Sequence, residues 1–222
     1  MRITIAAGFL AVGLLLAGCG GSSDRATTLP EQKPSQAAAQ GNKKLTQADL
    51  QSALLTVTDM PTGFTVDTST KSSENDDELS GCAAMDSVKK QDGPKAEANF
   101  TKGSFGPFVG EELALLGEEQ ARKSMSMLNE VLAKCRTFTS KDDNGETVTV
   151  KLNTLSFPKI GDDTYALRVT LGSGGIAVDA DVITIRRGGV LILITNAQLG
   201  SPDSQLTETV ARKALAKVDA QL

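Results

Sequence analysis

The chain of 222 residues contains no histidine and no tryptophan, and aromatic residues make up only 4% of it. Without histidine it can form neither a Ser-His-Asp nor a Cys-His triad, and a zinc site would lack its commonest ligand. With so few aromatic rings, stacking platforms for sugars or bases are not expected. These absences argue against the commonest hydrolase mechanisms and indicate a core of aliphatic side chains.

Positive charge is also scarce: 23 Lys and Arg stand against 27 Asp and Glu, which gives a net charge of −4. Binding to nucleic acid needs a basic surface that releases counterions from phosphate, so we expect no nucleic-acid partner. The composition likewise offers no polybasic attraction to anionic lipid. Attachment to a membrane would therefore have to come from another source.

The longest apolar run lies at the start, where Arg2 precedes Ile3 to Leu16. A membrane span needs about 20 apolar residues, and this shorter run has the form of a signal sequence. It leads into Leu16-Ala17-Gly18-Cys19, which resembles the lipobox of bacterial lipoproteins. The resemblance implies that residues 1–18 are a lipoprotein signal peptide and that Cys19 carries the lipid, including palmitate. An ordinary signal peptide cut elsewhere, or a membrane anchor, is the alternative.

The segment Gly20 to Lys44 is rich in Gly, Ser, Gln, Ala, Thr and Pro. Such a composition does not repay the entropy of ordering, so we predict that residues 19–44 form a lipidated flexible tether. A flexible coil of about 25 residues spans roughly 25–30 Å. Residues 45–222 are then expected to form a single domain on the extracytoplasmic face of the cell membrane, held there by lipid.

Two cysteines, Cys82 and Cys135, remain once Cys19 is assigned to lipid. Outside the cytoplasm they have only each other to pair with, so we predict a disulfide between them. Two unpaired buried thiols are the alternative. The bond would join the Cys82 segment to the helix that contains Cys135.

Three helices are predicted from capping and periodicity. Thr46-x-x-Asp49 has the form of a capping box for the first helix. The second, Glu118 to Cys135, carries an apolar stripe with alternating steps of four and three residues. The third runs from Asp203 to Leu222. Both long helices have one apolar face, so each is expected to pack on a sheet.

Six strands are predicted from alternating apolar residues, and their glycine-rich connections indicate antiparallel hairpins. They are Phe64–Val66, 96–105, Val148–Phe157, Tyr165–Leu171, Ile176–Ile185 and Val190–Ile194. A shift in the apolar phase of the third predicts a bulge near Asn153. The order of elements predicts an α+β fold: an antiparallel sheet of about five to six strands with flanking helices.

The turn Asp59-Met60-Pro61-Thr62-Gly63-Phe64, the cysteine pair, the helix that ends at Cys135 and the terminal hairpin together resemble a known family. It is the extracellular sensor domain of some mycobacterial serine/threonine kinases, with the related actinobacterial lipoproteins. A broader likeness is to the photosystem subunit P-like fold. The first resemblance implies a cleft that receives an envelope ligand, and no functional residue is carried over from it.

Candidate catalytic groups are few. Ser87-x-x-Lys90 and Ser156-x-x-Lys159 both match the S-x-x-K of penicillin-binding enzymes, but neither is accompanied by S-D-N or K-T-G. Arg168 is expected to project from the polar face of its strand, as an exposed edge residue or as an anchor for an anionic ligand.

The sequence therefore predicts a non-enzymatic lipoprotein, without cofactor or metal, that contacts membrane lipid through the acylated Cys19. Its domain would bind an unidentified envelope ligand or protein partner. The alternatives are an interaction or assembly factor for a membrane complex and a histidine-independent hydrolase. A flat apolar surface patch would favour the former, and converging carboxylates with raised pKa values would favour the latter.

Overall fold

Eight strands and three α-helices make up the computed structural model, which describes residues 45–68, 81–85, 92–141 and 145–222. The helices are α1 (Gln47–Ala53), α2 (Glu118–Lys134) and α3 (Ser204–Gln221). The strands are β1 (Thr65–Val66), β2 (Lys95–Thr101), β3 (Phe108–Leu115), β4 (Thr137–Lys141), β5 (Thr147–Thr154), β6 (Asp163–Ser173), β7 (Ile176–Arg187) and β8 (Val190–Leu199). No helix in these ranges is long and apolar enough to cross a bilayer.

The strands form one sheet in the order β1-β2-β3-β8-β7-β6-β5-β4, and every neighbouring pair is antiparallel. The predicted α+β class is confirmed, but the prediction of five to six strands is wrong. The two strands missed are β3 and β4. In β3, the consecutive carboxylates Glu111 and Glu112 interrupt the alternating pattern, and edge strand β4 has the mostly polar sequence TFTSK.

The bulge predicted near Asn153 is also wrong. Pairing of β5 with β6 continues without a break from Thr149↔Gly172 to Thr154↔Leu167. The apolar residues change from one face of the sheet to the other, because Leu152 packs near α2 whereas Leu155 packs against the opposite core. A strand covered on both sides can shift its apolar phase without any change of register.

Helices α1 and α3 cover one face of the sheet. They enclose a packed core, which we call the α1–α3 core, of 19 buried apolar residues contributed mainly by α1, α3, β2, β3, β7 and β8. Leu50 and Ala53 of α1 and Val210 and Ala214 of α3 are at most 1% exposed. The apolar periodicity of these helices and the central position predicted for β8 are confirmed.

Capping fixes the starts of these helices. The Thr46 hydroxyl accepts a hydrogen bond from the Asp49 backbone N–H, and an Asp49 oxygen accepts one from the Thr46 N–H, so the predicted capping box is present. Asp203 accepts hydrogen bonds from the N–H groups of Gln205 and Leu206 at the start of α3. Both caps satisfy donors that a helix leaves unpaired in its first turn.

Helix α2 lies on the other face of the sheet, across β5 to β8. The buried apolar cluster on this side is small, comprising Val131, Cys135, Val150 and Leu152. Helix α2 begins and ends close to the predicted bounds. One face of the sheet is thus covered by two helices and the other by one.

Candidate functional site

Both ends of α2 are fixed to the rest of the domain. At its start, the N–H groups of Leu116 and Gly117 donate to the carbonyl of Gly189, in the turn between β7 and β8, at 3.0 and 3.1 Å. A Cβ on Gly189 would lie 2.8 Å from the Gly117 Cα, so the backbones meet at a distance that only glycine allows. At its end, Cys135 is bonded to Cys82. Helix α2 is therefore attached to the rest of the domain at both of its ends.

A cavity of about 330 Å³ lies between this helix and the sheet. Helix α2 contributes Ser124, Leu128 and Val131 to its walls, and Met85 is contributed by the segment next to Cys82. The remaining lining residues come from six strands and point to the α2 side of the sheet. They are Lys95, Glu112, Ala114, Leu152, Tyr165, Leu167, Val169, Val182, Thr184, Leu191 and Leu193.

The walls of this α2 cavity are almost entirely hydrocarbon. Leu191, Leu193 and Val182 are only partly buried, whereas their strand neighbours Ile192 and Ile183 on the opposite face are fully buried. Two lining hydroxyls are already engaged with backbone carbonyls: Tyr165 donates to Leu128 at 3.0 Å and Ser124 to Gln120 at 2.8 Å. The cavity therefore suits an apolar guest.

Charged side chains lie at the edge of the cavity formed by β2 and β3. The Lys95 Nζ is 3.2 Å from a Glu112 carboxylate oxygen, and the two side chains are 43% and 29% exposed. Glu97 faces Glu112 directly across the strand pair. Burial, followed by the negative charge of Glu112, raises the pKa of Glu97. Lys95 and Glu112 line the cavity, and the exposed Glu97 lies beside Glu112 on the same face of the sheet, so we call these three residues the cavity rim.

Metal-ligand clusters and paired carboxyl groups are the features that would bring chemistry to this site. The described ranges contain no group of three or more Asp, Glu, Cys or His residues suited to a metal ion. The two carboxyl groups whose pKa values burial raises, Glu97 and Glu111, belong to different faces, since Glu111 points into the α1–α3 core. The carboxyl group that faces Glu97 across the strands is therefore Glu112 and not Glu111.

Of the three cysteines assigned a role from the sequence, two lie in the described part of the chain and one does not. Cys82 and Cys135 form a disulfide with a Cα–Cα distance of 5.8 Å, and Cys135 is 1% exposed. The bond joins the Met85 wall of the cavity to the end of α2. Cys19 lies outside the described residues, and so do the predicted signal peptide and tether up to residue 44.

The serine–lysine motifs do not form a site in the part of the chain that is described. Ser87 and Lys90 lie outside it, and Ser156 and Lys159 are both exposed.

Arg168 has a structural role that neither sequence-based interpretation anticipated. It lies in β6, an interior strand, and donates at 2.8 Å to Asp181, whose side chain is fully buried. Thr207 of α3 lies 3.3 Å from the other oxygen of Asp181, and Asn196 donates to Thr207 at 2.9 Å. The predicted exposed edge position is wrong, because Arg168 neutralises a buried carboxylate beneath α3.

Glu111 was missed as a buried titratable group. One of its oxygens accepts a hydrogen bond from the Leu55 N–H at 2.6 Å, and the other has no hydrogen-bond partner within the part of the chain that the structure describes. Burial raises its pKa to about 7, although the bond from Leu55 acts in the opposite direction. Because Glu111 and Glu112 are adjacent and both charged, the sequence pattern does not indicate which of the two side chains points into a core.

No protein-family model matches this chain, and no curated protein matches it. Among solved structures, the domain is similar to the crystal structure of the extracellular domain of PknH from Mycobacterium tuberculosis. The TM-score is 0.54 at 13% sequence identity, over 81% of this chain and 100% of that one. The two share a fold. The resemblance predicted from the sequence is thus confirmed at the level of the fold, which is as far as this identity reaches.

The family resemblance implied a cleft, but neither its position nor any of its lining residues was predicted. The sequence predicts the apolar stripe of α2 and most of the strands, but the size of the cavity depends on the distance between the helix and the sheet. A possible signal was the pattern of β8, apolar on both faces beneath a single helix on one side. Such a strand can be covered incompletely on the side that has fewer helices.

Proposed function

We propose that this chain is an extracytoplasmic, lipid-anchored protein that binds an apolar envelope ligand in the α2 cavity and does not act as an enzyme. The observation that carries the binding role is the lining: a cavity of about 330 Å³ with hydrocarbon walls and partly uncovered leucines. Ligand pockets typically have volumes of about 300–1,000 Å³ and mostly apolar linings. The size and composition of the α2 cavity fit that class.

The fold likeness supports the same direction. The similar domain of PknH is described as extracellular, and a lipobox at Cys19 would place this domain in the same kind of compartment. A tether over residues 19–44 would keep the cavity close to the membrane surface, where apolar molecules are concentrated. A location at the membrane surface and an apolar ligand are therefore consistent with each other.

Ligand binding is tested with N-phenyl-1-naphthylamine, a neutral apolar fluorophore that brightens when it leaves water. We expect saturable binding by the purified protein and loss of it in Ala114→Phe, which fills the cavity from its wall. Ala216→Phe, on the exposed face of α3, is the matched control and should bind as the unchanged protein does. Equal binding by both variants would contradict the proposal.

Anchoring is tested separately in cells grown with labelled palmitate. The label should appear on the protein and disappear in Cys19→Ser. Label that persists in that variant would refute attachment at Cys19 without touching the binding role of the domain.

A second candidate is an interaction or assembly factor, and one feature favours it. Phe105, Ile176 and Leu199 are 75%, 66% and 51% exposed. The strand register brings them to the same end of the sheet, because the β2–β3 and β6–β7 turns and the end of β8 all lie there. A photo-crosslinking residue at Phe105 should then give a defined adduct in native membranes, whereas one at Ala216 should not.

A further inference from the structure

We infer that the ligand of the α2 cavity is an amphiphile with one apolar chain and a cationic head group, the chain lying under α2 and the head lying against Glu97 and Glu112. This inference rests on the proposed binding function and adds to it the class of the ligand. It is carried by the size of the cavity, the chemistry of its depth and the sign of the charge on its rim.

The volume selects the chain. At about 330 Å³, the cavity lies at the lower end of the range for ligand pockets. It corresponds to the space of about eleven water molecules in the liquid. One alkyl chain of medium length fits such a volume, whereas a lipid with two long chains exceeds it.

The depth of the cavity selects an apolar group. Leu167, Val131 and Leu152 are at most 7% exposed and offer no hydrogen-bonding atoms in their side chains. The hydroxyls of Tyr165 and Ser124 donate to backbone carbonyls. A polar group placed here would lose its contacts with water and gain few in return, which costs free energy.

The rim selects the sign of the head group. Lys95 neutralises one carboxylate through its 3.2 Å contact with Glu112, and Glu97 lies opposite Glu112 on the same face. Two carboxylates and one ammonium leave an excess negative charge. Like charges that face each other across two strands are destabilising, and a bound cation would relieve this repulsion. Burial is the main cause of the raised pKa of Glu97, and the negative charge of Glu112 is the second.

The neighbouring strand does not cancel this charge. On β8, Leu193 lies beside Glu112 and Thr195 lies beside Gly110, and neither is ionisable. Among the described residues that flank Glu97 and Glu112 on β2, β3 and β8, an anionic head group such as the carboxylate of a fatty acid would have only Lys95 in its favour, and Lys95 is already paired.

The test uses three probes with the same dodecyl chain, each below its micelle concentration: dodecyltrimethylammonium, dodecyl tetraethylene glycol ether and dodecyl sulfate. Each displaces N-phenyl-1-naphthylamine from the protein. We expect the cationic probe to bind about fivefold more tightly than the neutral one, the size of one partly exposed ion pair, and the anionic probe to bind most weakly. The advantage of the cation should shrink as salt is raised.

Two variants move the preference in opposite directions. Glu97→Gln should remove most of the advantage of the cationic probe over the neutral one. Lys95→Gln should increase that advantage. Glu208→Gln, on the exposed side of α3 where the glutamate pairs with Arg212, is the control and should leave it unchanged.

The outcomes separate this inference from the function on which it rests. If the fluorophore binds and all three probes displace it equally, or the anionic probe does so best, the head-group assignment is wrong while the apolar site stands. If the fluorophore does not bind at all, the proposed function fails and this inference fails with it.

Discussion

The two faces of the sheet are built from the same strands and are used differently. In β7, Ile183 and Ile185 are fully buried in the α1–α3 core, whereas Val182 and Thr184, which alternate with them, line the α2 cavity. Two helices close the first face and one helix spans the second. A strand that is apolar on both sides therefore need not be closely packed on both sides.

The difference has a physical cause in how each helix is held. α1 and α3 contact each other as well as the sheet, and both contribute fully buried side chains to the same core. Among the described residues, α2 has only the short helical turn of residues 83–85 beside it, and its ends are fixed to the β7–β8 turn and to Cys82. A helix fixed at both ends can leave space beneath its middle.

Removal of the disulfide should have the largest effect, and it concerns the α2 face. The bond joins residues 53 positions apart, and the chain-entropy model gives about 4 kcal/mol for a loop of this size. The double variant Cys82→Ala with Cys135→Ala should lose about that much free energy of unfolding, measured by urea denaturation. A loss below about 1 kcal/mol would mean that the rest of the fold holds α2 unaided.

Matched leucines compare the faces directly. Leu113 of β3 is 0% exposed in the α1–α3 core, whereas Leu193 of the adjacent β8 lines the α2 cavity and is partly exposed. Leu113→Ala should cost about 3–4 kcal/mol of unfolding free energy, since it opens a void in a packed core. Leu193→Ala should cost about 1 kcal/mol, since it enlarges an existing space and removes less buried area. Equal costs would contradict the contrast between the faces.

The pH dependence of stability should report the buried carboxyl of the α1–α3 core. Glu111 has a pKa of about 7 in the folded protein and an ordinary value of 4.5 when unfolded. Between these values the folded state keeps a proton that the unfolded state has lost. Stability should therefore fall by about 3 kcal/mol as the pH rises from about 4.5 to above 7.

Comparison with Glu111→Gln isolates this contribution. The variant keeps an oxygen for the Leu55 N–H and cannot titrate, so the difference between its pH profile and that of the unchanged protein is the contribution of Glu111. If the two urea-derived profiles run parallel across this range, the carboxyl is not buried as described.

A smaller effect is expected where α3 meets the segment after α1. Lys217 lies 2.9 Å from Asp59. Burial tends to raise the pKa of Asp59, but hydrogen bonds from Lys217 and Thr56 outweigh it and hold the pKa at about 2. Lys217→Met should cost about 1 kcal/mol at neutral pH. The stabilisation is present above pH 3.8 and should disappear as the pH falls towards 2, which acid titration of both proteins checks.

Much of this fold follows from local patterns. The capping box at Thr46, the stripe of α2 and the alternation of β6 are each decided within a few residues. The structure has all three, since alternate residues of β6 (Tyr165, Leu167 and Val169) line the α2 cavity. β3 was missed because it carries two adjacent glutamates, which hide its apolar pattern. Successive residues of a strand point to opposite faces, so one glutamate is buried and the other is not. The buried Glu111 is stabilised by Leu55 and Glu112 pairs with Lys95, and both partners lie elsewhere in the chain. Partners this distant are invisible to a periodicity argument.

The candidate site was less predictable still. Its walls come from α2 and six strands, and no motif identifies a residue as facing a gap rather than a packed core. Arg168 illustrates the same limit, because its role depends on Asp181, a neighbour only through strand pairing. The sequence does predict the cysteine pair, since composition and compartment leave few alternatives.

Methyl NMR spectra of the protein titrated with N-phenyl-1-naphthylamine test the central claim most directly, because the aromatic rings of the probe shift the signals of methyl groups they contact. The account predicts saturable shifts for Leu191, Leu193 and Val182, and unchanged signals for Ile183, Ile185 and Ile194 on the other side of the same strands. Shifts of equal size on both faces, or shifts confined to the exposed Ile176 and Leu199, would contradict it.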